Sequence, residues 1–245
     1  MALGAPTARP ATTAAVLREL KRASSPAQAA NLRRFFKTGP GEYGAGDEFW
    51  GLKVPQTRAI LARFSDVPLA VAGELLASPV HEARFFALAA LVRAYARGAA
   101  PARAEVFDFY LTHAARINNW DLVDLSAPGI VGRHLPPGQG RRHLRRLADS
   151  PNLWERRIAM VATLEHIRQG DLTNTFWLAE RLRDDPEDLL HKATGWMLRE
   201  AGKRDVAALR AFLARQAARL PRTALRYAIE RLAPAERREW RHHPK

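Results

Sequence analysis

The sequence predicts an all-α protein assembled from repeated helix pairs, and three observations carry that reading. Segment after segment places apolar residues at i, i+3 or i+4 and i+7, the spacing of one helix face. Pro55, Pro68, Pro79, Pro151, Pro186 and Pro221 stand at or just before the starts of such segments, where the missing proline N–H leaves no helical bond unmade. Similar stretches also open at Trp120, Trp154, Leu190 and Arg222, which are 34, 36 and 32 residues apart. No segment alternates apolar and polar residues with the period of a strand.

Taken in order, residues 1–14 are acid-free and rich in Ala, Thr and Pro, and read as a disordered tail without the apolar core of a signal peptide. Helices are expected over 15–23, 27–37, 55–64, 81–97, 104–117, 154–168, 188–202, 205–220 and 222–232, in a single domain over 15–240. Two of them match closely: HEARFFALAAL (81–91) and WERRIAMVATL (154–164) share a Glu, an Arg two residues later and the same apolar rhythm. Periods in the thirties with two helices per unit point to a solenoid of the HEAT or armadillo sort rather than an ordinary bundle. One helix of each pair then lines a shared concave surface that collects NNWDLVD, WERR and HKATGW. The exception is TGPGEYGAGDEFWGLKV (38–54), whose five glycines and one proline forbid a continuous helix. Its spacing fits no phosphate-binding fingerprint and no strand precedes it, so it reads as an ordered loop between repeats.

Charge narrows the partner. Thirty-nine Lys+Arg against twenty-five Asp+Glu give a net +14, with a pI of about 11.1, the electrostatic footprint of a nucleic-acid binder. The excess is concentrated: residues 201–245 carry twelve bases and four acids, hence +8, while 151–200 carry seven bases and nine acids. There is no cysteine, which excludes disulfides, thiolate metal sites and thiol nucleophiles. The longest apolar run, 85–92, is eight residues, far short of a membrane span. No His–Glu or paired-His spacing suggests a metal site. A cytoplasmic, nucleoid-associated protein is the expectation.

The stretch NNWDLVD (118–124) sets Trp120 and Asp124 four residues apart, on one face if helical. An aromatic ring beside a carboxylate suits a helix start, an ion-pair site or a place where a cation is handled. Together with NLWERRIAMVAT (152–163), HKATGWMLRE (191–200), PRTALRYAIE (221–230) and the loop GPGEYGAGDEFWGLKVPQTR, it resembles the AlkD-type DNA alkylation repair glycosylases, in motif order from about residue 15 to residue 235. The resemblance implies a right-handed superhelical solenoid of HEAT-like helix pairs with a basic concave face. It further implies excision of N3- and N7-alkylated purines from duplex DNA by a monomer, without metal or cofactor. The family's catalytic aspartate falls on Asp124, its flanking tryptophan on Trp120, its supporting arginine on Arg157 and its second tryptophan on Trp196. The loop 38–54 departs from the founding pattern and looks like that of another branch.

The residues support the same chemistry. Glycosidic hydrolysis usually takes two carboxyl groups, one to protonate the leaving group. A purine alkylated at N3 or N7 is already cationic and leaves without an acid, so one carboxylate suffices. Asp124 would stabilise the oxocarbenium-like sugar and orient water, Trp120 and Trp196 would offer π faces to a cation, and Arg157 would clamp a phosphate. Gly195 would let the DNA backbone approach, and Arg156, Lys192, Arg199 and Arg226 would meet phosphates. Other readings stay open here. Trp120 and Trp196 also suit the core between repeats, Asp124 also suits a cap or an ion pair with Arg157, and Asp121 reads as a charge at a helix N-terminus. A non-catalytic module for distorted DNA or structured RNA is the alternative function. Direct reversal is excluded, since it needs either a cysteine or a His-x-Asp pair and neither is present. The resemblance also implies contacts to sugar and phosphates, with the base left in or near the stack.

Overall fold

The computed structural model describes residues 10–138 and 140–242. Those residues form helices and connecting turns, with an isolated bridge between Glu48 and Val80 and, among the described residues, no strand. The chain divides into two compact units, one ending at Ser126 and the other beginning at Ala127.

In the first unit, α1 (Thr13–Arg22) starts where Thr12 accepts the Ala15 N–H at 3.2 Å, and α2 (Pro26–Phe35) where Ser25 accepts that of Gln28 at 3.4 Å. Then come α3 (Val54–Leu61), α4 (Leu69–Leu76), α5 (His81–Arg97), α6 (Ala100–Thr112) and α7 (Trp120–Ser126). Helix α5 is the axis. Eleven of its residues between His81 and Tyr95 are buried, because α3, α4, α6 and α7 all pack against it; eight of the eleven are apolar or aromatic, and the other three, His81, Glu82 and Arg84, lie in its first turn.

The second unit opens with a π-helical turn (Pro128–Gly132) and continues through α8 (Arg141–Ala148), α9 (Leu153–Arg168), α10 (Thr173–Arg181), α11 (Asp188–Arg204), α12 (Val206–Gln216), α13 (Arg222–Ala228) and α14 (Pro234–Arg241). Here α9 packs on α8, α10 and α11, and α11 packs on α10, α12 and α13. Polar contacts recur at the repeat spacing. In the first unit, Glu82 binds the Trp50 N–H and Arg93 the Leu61 carbonyl, both 32 residues apart. In the second, Arg156 meets Asp185 (29 apart), His166 the Leu135 carbonyl (31), Arg181 Asp149 (32) and Thr223 Asp188 (35). The all-α helical repeat read from the periodicity is therefore the observed fold.

Besides the seven-residue α7, which the sequence reads as helix only conditionally, four helices escaped the sequence reading, and each lacks an apolar face of the expected length. Helices α4, α8 and α14 are eight residues long and α10 is nine, and α14 buries no residue at all. The tail expectation is also corrected. Residues 1–9 lie outside the described residues, but Ala11 is buried, Thr12 caps α1 and the helix begins at Thr13.

The loop between α2 and α3 contains no helix, as its glycines required: bends and turns run to Gly46, and Glu48 then makes the bridge to Val80. Gly51 has φ 89°, and a Cβ there would lie 2.2 Å from the Ser25 carbonyl oxygen and 2.6 Å from the Ala29 nitrogen. The backbone of α2 thus rests directly on it. Gly41 has φ 77° but nothing within 4 Å. Gly51→Ala should therefore destabilise by about 2–4 kcal/mol, combining backbone strain with overpacking. Gly41→Ala should cost only the ~1 kcal/mol of the left-handed conformation. Equal losses in urea unfolding would mean that α2 is not seated on the loop.

Candidate functional site

Asp47, in the glycine-rich loop, is buried, and three partners from two other segments converge on it. His81 Nδ1 lies 3.2 Å from its Oδ2, Arg84 forms an ion pair at 2.6 Å, and the Asn119 amide donates at 3.1 Å. Burial alone would raise the Asp47 pKa, but these bonds and the Arg84 charge outweigh it and lower it. The second nitrogen of His81 lies 2.8 Å from Asp121 Oδ2. Burial of His81 opposes its charge, yet the two carboxylates on either side prevail and lift its pKa to about 9. At neutral pH it is an imidazolium held between Asp47 and Asp121.

This clamp places α7. Asn119 accepts the Trp120 N–H at 2.8 Å, Asp121 pairs with α5, and the loop is tied to the same helix by Glu82, whose carboxylate accepts the N–H groups of Trp50, Gly51 and Leu52 at 2.7–3.1 Å. One face of Trp120 is thereby covered: its ring stacks on Phe36 at 5.2 Å and 20° and meets Phe35 edge-on at 5.8 Å. Phe36 stacks in turn on Phe49 at 5.0 Å, and Phe49 on His81 at 4.5 Å. The ring is half-buried among these aromatics and also lines a cavity of about 370 Å³.

Asp124 is half-buried one turn beyond Trp120 on the same helix. Its charge reaches the enclosed Tyr110 hydroxyl, whose pKa is raised chiefly by burial, with Asp124 adding to the rise and a 2.9 Å bond to Ser126 opposing it. Asp121, on the adjacent helix face, is occupied by His81. The carboxylate next to Trp120 in sequence is therefore held by the clamp, and Asp124, a turn away, is the one that the sequence resemblance assigns to chemistry.

The remaining candidates belong to the second unit, and several roles change there. Arg157 is 5% exposed and donates to the Leu189 carbonyl at 2.5 Å. Burial makes it a support inside the helix layer rather than a phosphate clamp. Arg156 is also engaged, through two bonds to Asp185 and one each to the Ser150 and Pro151 carbonyls, with its side chain 12% exposed, and is not presented to DNA. Gly195 is corrected outright. It is buried, and a Cβ there would lie 2.4 Å from the Ala224 carbonyl oxygen, so it admits α13 rather than DNA. Arg199 pairs with Glu230 and Glu200. Lys192, 40% exposed beside Asp188, and the exposed Arg226, stacked near Tyr227 at 5.6 Å, do present charge to solvent. Trp196 is half-buried, donates to Glu200 at 3.2 Å and lines a cavity of about 450 Å³ with Leu164, Arg168, Lys203 and Arg204.

Sequence reasoning missed His81, Glu82, Asp47, Asn119 and the phenylalanines. The signal was available in HEARF against WERRI: Arg84 and Arg157 occupy equivalent positions, are both buried and both tie a helix start to a neighbouring segment.

With this geometry in place, the chain is similar to known proteins in two respects. The family described as DNA alkylation repair enzyme matches residues 16–232, and the chain belongs to that family. A solved structure from Enterococcus faecalis, described as a predicted DNA alkylation repair enzyme, shares the fold with a TM-score of 0.66 at 18% identity, covering 86% of this chain and 97% of its own. No curated sequence matches the chain. Among the described residues no helix is long and apolar enough to cross a membrane.

The clamp has a pH signature. Because His81 is raised from 6.5 to about 9 on folding, its contribution is fully present below about pH 6.5 and is lost as pH rises through 9. Thermal stability should fall across that window, by on the order of a few kcal/mol. Asp121→Asn should start lower and show a shallower fall. A wild-type melting temperature that stays level from pH 6.5 to 9 would mean that His81 is neutral and the clamp uncharged.

Proposed function

We propose that this protein is a monofunctional glycosylase that hydrolyses the N-glycosidic bond of purines alkylated at N3 or N7 in duplex DNA. Family membership makes DNA repair its general role. The observation that carries the finer reading is Asp124: a half-exposed carboxylate one helical turn from a tryptophan, on a helix fixed from behind by an ion-paired clamp. Preorganisation of that kind is what electrostatic stabilisation of a developing cation requires, since the group need not reorient as charge appears.

In this mechanism the alkylated base departs neutral, its positive charge passing to the sugar as the C1′–N bond breaks. Asp124 stabilises that charge and directs water to C1′; the water proton goes to the carboxylate or to solvent. Trp120 presents its uncovered side to the cation, worth about 0.5–2 kcal/mol. Arg157 acts by support. Lys192 and Arg226 bind phosphates.

Asp124→Asn keeps the shape of the side chain and removes its charge. Release of 7-methylguanine from methylated duplex should fall by ~10²–10³-fold with lesion affinity little changed. Wild-type excision by this variant would remove Asp124 from the mechanism; a lowered melting temperature with unchanged excision would make it structural. Excision should also survive excess EDTA and leave abasic sites uncut, whereas trapping by borohydride would point to a lyase.

Duplex affinity should drop steeply with salt, with a log–log slope of about −0.9 per phosphate neutralised. Arg226→Glu should weaken all sequences alike and flatten that slope by about one unit or more. Affinity indifferent to salt would show the +14 charge to be unconnected with binding.

A further inference from the structure

Helix α8 carries a charge pattern that the candidate site does not use. Its sequence, RRHLRRLA, holds four arginines and no acid. Leu144, Leu147 and Ala148 are buried, which turns Arg141, Arg142, Arg145 and Arg146 outward, and all four are exposed. At 3.6 residues per turn they occupy an arc of about 140° over a length of ~12 Å. Arg141 lies over the Trp177 ring at 5.4 Å. The other three make no ion pair among the described residues, whereas Arg156, Arg181, Arg199 and Arg210 in the same unit each meet a carboxylate.

Stability of the helix does not account for this pattern. Arg141 and Arg142 stand in the first turn, at the positive end of the helix dipole, and Gly140 supplies no side-chain cap. Arg141 with Arg145, and Arg142 with Arg146, are like charges at i and i+4, which repel. A charge set held against the preference of its own helix points to a partner that neutralises it. The packing of the second unit shows where that partner lies. Helices α9, α11 and α13 pack in succession and carry Arg157, Trp196 and Arg226. Helix α8 packs on α9 and α10, α10 meets α12 through the stacked rings of Phe176 and Phe212 at 4.9 Å, and α12 packs back on α11. The cavity beside Trp196 is lined from α9 and α11 alone. The arginine arc, opposite the buried side of α8, therefore faces away from the layer that carries the candidate residues.

Three features choose the occupant. Duplex DNA presents one negative charge per ~1.7 Å, so roughly seven phosphates lie along the length of α8. The planar fork of arginine takes phosphate oxygens in pairs. No large apolar side chain is exposed on α8, so a lipid surface would receive nothing to anchor it. We propose that this arginine face is a second duplex-binding surface, and that one molecule joins two DNA segments, one at the layer carrying Lys192 and Arg226 and one at α8. A protein built this way passes between neighbouring segments without first leaving both. The proposal rests on the phosphate contacts proposed for Lys192 and Arg226, and not on the excision chemistry.

The test mixes the full chain at low salt with two short undamaged duplexes, one carrying a donor dye and the other an acceptor. Energy transfer between them is expected, in a complex whose sedimentation mass contains one protein and two duplexes. Arg142→Glu, Arg145→Glu and Arg146→Glu together should weaken the second duplex by about tenfold or more and abolish the transfer, with affinity for the first duplex kept within about twofold. The melting temperature should stay level or rise, because repulsion along the helix is relieved. If that variant fails to fold, glutamine at the same three positions should weaken the second duplex by roughly threefold or more. Undiminished transfer in a folded variant, or a complex of two proteins with two duplexes, would overturn the proposal. So would a single bound duplex whose affinity falls with these substitutions, since α8 would then share the DNA bound by the other layer. A second site that takes phosphatidylserine vesicles but no duplex would overturn it as well. A wild-type protein that joins two duplexes but excises nothing would uphold the proposal and remove the glycosylase reading.

Discussion

A buried carboxylate, Asp47, brings together His81 and Arg84 from one helix and Asn119 from the approach to another, and the geometry of the first unit follows from that gathering. His81 passes the interaction on to Asp121, so a loop, the central helix and the helix carrying Trp120 and Asp124 are fastened at one point. Buried ionic groups contribute little net stability compared with well-packed apolar side chains, but breaking one partner away is expensive. Their use here is positional. The cluster fixes where α7 starts and which way its two acidic residues point, and it leaves Asp121 fastened while Asp124 stays half-exposed.

The same device recurs in the second unit in a simpler form. Arg157 stands where Arg84 stands in its helix, is equally buried, and reaches across to the next repeat at the Leu189 carbonyl. Arg156 secures the same junction through Asp185. Much of the arginine in this chain is thus occupied in holding repeats together, and net charge alone overstates how many cations face a polyanion. Arg226 is exposed and Lys192 is half-exposed in an ion pair with Asp188, whereas Arg156 makes four protein hydrogen bonds.

How much of this was legible depended on whether the signal was periodic. Helices such as α5, α9 and α11 are long and show their apolar rhythm plainly, and the 32- to 36-residue recurrence announced the repeat. Short helices such as α8 and α14 gave no such signal. In the site, the i, i+4 spacing of Trp120 and Asp124 was readable because it is local. Asp47 and His81 are 34 residues apart and Asp47 and Asn119 are 72 apart, so only the fold could bring them together. Gly195 was misread for a related reason. A glycine beside a candidate tryptophan suits close approach by any backbone, and the backbone turned out to be that of α13.

The central claim is that a charged imidazole, clamped by two carboxylates, positions the helix that carries the candidate chemistry. Its most direct test is an NMR titration of the His81 ring in protein labelled at histidine nitrogen. Both ring nitrogens should be protonated at pH 7.5, with a midpoint near 9 that returns toward ~6.5 in Asp121→Asn. A midpoint near 6.5 in the wild type, unmoved by that substitution, would contradict the account.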